Sequence, residues 1–65
     1  MLTVNITREE HSMNFCEAES FEVAAEIIEA NEGDYEGCDW VVKDDETGFE
    51  WLYSGEWELI VPQYK

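Results

Sequence analysis

The chain has 65 residues and a mass of 7.6 kDa, and carries seventeen Asp and Glu against three Lys and Arg, a formal net charge of -14 with pI ≈ 4.1. A chain this short holds one domain and buries only about 60% of the surface its unfolded form exposes. Its charge repels nucleic acid and anionic membrane alike, which excludes direct binding to either. Acid-rich chains often stay disordered because they lack apolar surface to bury. This one is 45% hydrophobic and 14% aromatic, with three Trp, three Tyr and three Phe, so a folded domain with an aromatic interior and an acidic coat is expected.

Leu2, Val4 and Ile6 alternate with Thr3, Asn5 and Thr7, the period-two pattern of a half-buried strand over residues 2–7. Arg8-Glu9-Glu10-His11 reads as a connection, and Met13 and Phe15, alternating with Asn14 and Cys16, predict a second strand paired to the first as a hairpin. Ser20 stands before Phe21 as a helix N-cap, its hydroxyl placed to accept from a free backbone N–H of the first turn. Over residues 21–30, Phe21, Ala24, Ala25 and Ile28 fall on one helical face, broadened by Val23 and Ile27, while Glu22, Glu26 and Glu29 line the other. Asn31 and Gly33 are expected to end the helix, with Gly33 in the left-handed conformation.

Residues 32–38 read as a flexible connection. Strands follow over residues 39–43 and 49–53 around the turn residues 44–48, and Ser54-Gly55 leads to a last strand over residues 56–61 that Pro62 ends. The predicted fold is a single α+β domain spanning residues 1–65, an antiparallel sheet with one helix on one face in the order β-β-α-β-β-β.

A register follows if Lys43 pairs with Phe49, and Tyr53 pairs with Glu56 across a two-residue Ser54-Gly55 turn. One face then carries Trp40, Val42, Leu52, Trp57, Leu59 and Val61 with Glu50 as the only charged intruder, and is assigned to the core under the helix. The other carries Val41, Phe49, Trp51, Tyr53 and Ile60 with Asp39, Lys43, Glu56 and Glu58, an apolar patch rimmed by acids of the kind that marks binding surfaces. A one-residue slip exchanges the faces, and a homodimer through this patch is the competing use of it.

Several chemistries are not supported. His11 is the only histidine and stands in no metal spacing with Cys16 or Cys38, so no metal or cofactor is expected. Counting an EF-hand loop from Asp44 puts Phe49 at the position that needs Gly and Gly55 at the position that needs an acid. No Ser/His/Asp arrangement or glycine-rich phosphate loop occurs, and the expectation is that the protein is not an enzyme. Two cysteines are too few for a secreted disulfide framework; two reduced, partly buried thiols are expected, with a single bridge left open. The first residues show no basic region followed by an apolar run, so a soluble, cytoplasmic protein is expected and the Asn5-Ile6-Thr7 sequon is read as chance.

A net charge of about 2 to 8 in magnitude suffices for the solubility of a small domain, so a charge of -14 calls for another explanation. It attracts strongly basic surfaces, which on soluble proteins are most often grooves that hold DNA or RNA. Along the helix Glu22, Glu26 and Glu29 rise about 4.5 to 6 Å apart, and along a strand Glu56 and Glu58 stand about 6.6 Å apart, comparable with successive phosphates of one nucleic-acid strand. The candidate partner-binding residues are Glu22, Glu26, Glu29, Asp44, Asp45, Glu46, Glu50, Trp51, Tyr53, Glu56 and Glu58. In size, acidity, aromatic content and the Glu17-Ala18-Glu19-Ser20 join into the helix, the chain resembles in type the small acidic inhibitors encoded by bacteriophages and mobile elements, among them anti-restriction, anti-CRISPR and uracil-DNA glycosylase inhibitor proteins. That resemblance implies a protein that blocks a basic nucleic-acid-binding host protein by covering its channel. The alternatives are an acidic interaction module or a homodimer with no mimicry role.

Overall fold

A computed structural model describes residues 1–61. Five strands, β1 (Leu2–Arg8), β2 (His11–Ala18), β3 (Asp39–Asp44), β4 (Glu50–Tyr53) and β5 (Trp57–Val61), form one antiparallel sheet in the order β2-β1-β3-β4-β5. Among the described residues the single α-helix, α1 (Phe21–Asn31), lies in the connection between β2 and β3. This is the α+β domain of order β-β-α-β-β-β that the periodicities predict.

The helix begins where the sequence says it should: the Ser20 hydroxyl oxygen accepts from the Val23 N–H at 3.3 Å. Its buried residues are Ala24 and Ile28, a stripe narrow enough for Val23 to remain 37% exposed. Among the described residues Ile28, Val4 and Val42 are the largest fully buried side chains, and they join α1, β1 and β3 in one core. The helix does not end on a left-handed Gly33. Glu32–Asp34 continues as a 3₁₀ turn, and the left-handed glycine is Gly37, at φ 84°. The connection over residues 32–38 is thus partly ordered, with backbone bonds from Tyr35 N–H to Glu32 O and from Cys38 N–H to Tyr35 O.

The strand register differs from the predicted one by a residue in each of the last two hairpins. Lys43 pairs with Glu50 rather than Phe49, because Asp44 N–H bonds Phe49 O at 2.8 Å and closes the turn one residue later. Tyr53 pairs with Trp57 rather than Glu56, because the loop holds three residues, with Gly55 at φ 91° and Ser54 N–H bonded to Glu56 O. The two slips cancel for β5 and leave β4 alone inverted. Trp51 and Tyr53 therefore join Trp40, Val42 and Trp57 on the helix face, and Leu52 and Glu50 move to the open one.

Two bulges complete the sheet. Val4 pairs with Cys16 and Asn5 with Asn14, which leaves Phe15 unpaired on β2; its ring packs edge-on against Tyr35 at 5.6 Å and Trp40 at 5.2 Å. On β5 the partners step from Leu59 to Val61, leaving Ile60 as the extra residue. Pro62 and the face assigned to the Val61 side chain lie outside what is described.

Candidate functional site

All seventeen carboxylates fall within the described residues, and none is buried. Asp44 and Glu50 are half-buried and the rest exposed, so the interior is left wholly to apolar and aromatic groups. No Lys or Arg occurs between Arg8 and Lys43, an interval that holds eleven Asp and Glu and includes the whole helix. Because Leu2 is opposite both Ala18 and Asp44, the sheet end where α1 begins gathers Glu17, Glu19, Asp44, Asp45 and Glu46. At the other end Thr7 is opposite Asp39 and Ser12, beside the Glu9-Glu10 turn. Acids thus cover the helix and both sheet ends, while Lys43 stands on the face turned away from the helix, between Thr3 and Glu50.

The predicted residues meet different fates within this coat. Glu22, Glu26 and Glu29 are exposed along α1, as the helical spacing requires. Asp44 and Asp45 serve the turn as well as the surface. The Asp44 carboxylate accepts from Glu46 N–H at 2.9 Å, and the Thr3 hydroxyl donates to Asp45 at 2.9 Å and 3.0 Å to its two oxygens. Glu46 is exposed at the turn, and Glu56 lies in the β4–β5 loop rather than on a strand, so it does not continue a ladder with Glu58. Glu50 is not a charged intruder in the core: it shares the open face with Glu58, Lys43 and Leu52.

The aromatic assignment needs correction. Tyr53 is 7% exposed, and its hydroxyl donates to Glu29, so it belongs to the core and to the helix contact. Trp51 lies on the helix face but at its thinly covered end, half-buried under Phe21, whose ring meets Trp51 at 4.8 Å and Trp57 at 5.0 Å, both edge-to-face. Phe21, Trp51 and Trp57 line an open apolar pocket of about 280 Å³. Phe49 packs against Trp51 at 5.9 Å, and Leu59, opposite Trp51, is 49% exposed. An aromatic contact surface therefore exists at the helix entry, formed by residues that the sequence divides between core and patch. Phe21 was legible only as part of the helical stripe.

Cys16 and Cys38 are free and half-buried. Burial, and then the neighbouring Glu17 charge, push the Cys16 thiol above its ordinary value, which suppresses the reactive thiolate. Among the described residues no group of three or more His, Cys, Asp and Glu is arranged to hold a metal ion, and no helix is long and apolar enough to cross a membrane. No family model matches the chain, and neither the curated proteins nor the solved structures include a significant match to it.

Proposed function

We propose that this protein binds the basic nucleic-acid-binding surface of another protein and occupies it in place of DNA or RNA, acting as an inhibitor of the phage or mobile-element type. The observation that carries this reading is the arrangement of charge: seventeen surface carboxylates on a folded scaffold, eleven of them in the interval between Arg8 and Lys43, which holds the whole helix and no Lys or Arg. Folding alone disfavours such a coat, because like charges held close on a small domain repel one another. A basic groove relieves that repulsion and gains from it. Long-range attraction accelerates encounter, and the half-exposed rings of Phe21, Trp51 and Trp57 supply the short-range contact that charge alone lacks.

In this reading the partner is a nucleic-acid-handling host protein of the cell interior, the protein touches neither nucleic acid nor membrane itself, and it performs no catalysis. The test is affinity capture from a host lysate at low salt, with elution by a salt gradient and, separately, by double-stranded DNA or RNA. The expected result is a DNA- or RNA-handling protein that both salt and nucleic acid displace. A captured protein that keeps its grip in the presence of nucleic acid overturns mimicry.

A further inference from the structure

We infer that the cleft at the carboxyl end of α1 receives an arginine side chain of the partner protein, an inference that rests on the function proposed above and assigns one contact within it. The cleft holds about 620 Å³ and is half open to solvent. Its floor is aromatic: Trp40 and Tyr53 line it and are buried at 4% and 7% exposure. Tyr35 forms a wall, edge-on to Trp40 at 5.8 Å and 89°. Four acids line it as well: Glu29 and Glu32 at the helix end, Glu36 in the connection that follows, and Asp39 at the start of β3.

Three features select a guanidinium. The last helical turn carries no basic side chain, so the carbonyls at the negative pole of α1 and the Glu29 and Glu32 carboxylates stand together without a compensating cation of their own. The rim carboxylate of Glu29 is anchored, because the Tyr53 hydroxyl donates to its Oε2 at 2.5 Å. The third is the pairing of an aromatic wall with carboxylates: Tyr35 is half-buried and keeps ring surface in the cleft, while Trp40 and Tyr53 close it from below. A planar guanidinium stacks on the Tyr35 ring and forks a carboxylate at once, whereas an ammonium is a compact, strongly hydrated point charge that does neither as well. A purely apolar side chain would leave the rim carboxylates facing it, and an acidic one would be repelled.

The test titrates the ¹⁵N-labelled full chain with acetyl-Gly-Arg-Gly-amide, with the matching lysine peptide and with spermidine. It is repeated in Glu29→Gln/Glu32→Gln and in the remote pair Glu22→Gln/Glu26→Gln. The arginine peptide is expected to move the Trp40 indole N–H and the amides of Cys38 and Asp39 saturably. Its binding should be at least about threefold tighter than that of the lysine peptide, the size of a cation–π preference at a surface site. That preference should vanish in the first variant and persist in the second. Equal binding of arginine and lysine, tighter binding of spermidine, or shifts spread evenly along the helix overturn the inference. The wider reading fails separately: if Glu29→Gln/Glu32→Gln keeps full affinity for a nucleic-acid-displaceable target, the cleft assignment falls and the proposed function stands.

Discussion

The hydroxyl of Tyr53 donates to the carboxylate of Glu29 at 2.5 Å, a bond that spans 24 residues and ties β4 to the last turn of the helix. It is the only described side-chain bond between α1 and the sheet. The bond to Glu29, burial and the Glu29 and Glu32 charges together push the phenol above its ordinary value of 10.0. In the unfolded chain Tyr53 ionises near its ordinary value; in the folded protein it holds its proton to higher pH. The bond therefore contributes fully below pH about 10, and its contribution is lost as pH rises from there through the folded value. Urea midpoints at pH 8 and pH 10.5 should fall more steeply for the native chain than for Tyr53→Phe, which is also the less stable of the two at pH 8. Equal slopes would show that the phenol does not sense folding.

Ile28→Ala tests where the core sits. Ile28 is fully buried with Val4 and Val42, so its truncation should cost about 2–5 kcal/mol. A domain of this length has only roughly 3–10 kcal/mol in total, at 0.05–0.15 kcal/mol per residue. Urea denaturation followed by circular dichroism should show Ile28→Ala largely or wholly unfolded, and Val23→Ala, at a position 37% exposed, within about 0.5 kcal/mol of the parent.

What the sequence disclosed depended on how far each signal reached. Alternation at Leu2, Val4 and Ile6, the helical stripe of Ala24 and Ile28 and the cap at Ser20 are local, and each appears in the structure where the pattern places it. Register is not local: it depends on which turn residue takes a left-handed conformation, and the turns at Gly48 and Gly55 each hold the strands one residue from the simplest pairing. The warning was nonetheless present. Glu50 stood as the one charge on an otherwise apolar face, and shifting β4 by one residue exchanges Glu50 and Leu52 for Trp51 and Tyr53. The cleft at the helix end was out of reach, since Glu29, Asp39 and Tyr53 meet only through the crossover of α1 between β2 and β3.

The glycines that set this register can be told apart by substitution. Gly48 and Gly55 have φ of 82° and 91°, and a Cβ added at either meets no atom within 4 Å, so the cost of alanine is one of backbone conformation alone. Gly48→Ala and Gly55→Ala should each destabilise by about 1–2 kcal/mol. Gly33 has equal room but no positive φ, and lies in the 3₁₀ turn, so Gly33→Ala should stabilise by about 0.4–1 kcal/mol. Thermal unfolding of the three variants gives the comparison, and a destabilised Gly33→Ala would restore that residue as the helix terminator.

The acidic coat predicts opposite responses to salt for folding and for binding. Between 10 mM and 1 M salt the Debye length falls from about 30 Å to about 3 Å, which removes most repulsion among exposed carboxylates. Thermal midpoints should therefore rise with NaCl, because a charge of -14 opposes compaction. Over the same range the proposed target complex should weaken, chiefly through slower association. Charge reversal separates the two effects on one molecule. Glu22, Glu26 and Glu29 lie on the exposed helix face; of these Glu29 also accepts from Tyr53, so the cleaner variant is Glu22→Lys/Glu26→Lys. That variant should unfold at a higher temperature in low salt than the parent, with the gain erased in 1 M NaCl, and should bind the target with a reduced on-rate and a nearly unchanged off-rate. A parent whose midpoint is flat or falls with salt would mean that the carboxylates do not burden the fold. Retaining them would then need no basic partner to offset a cost in folding.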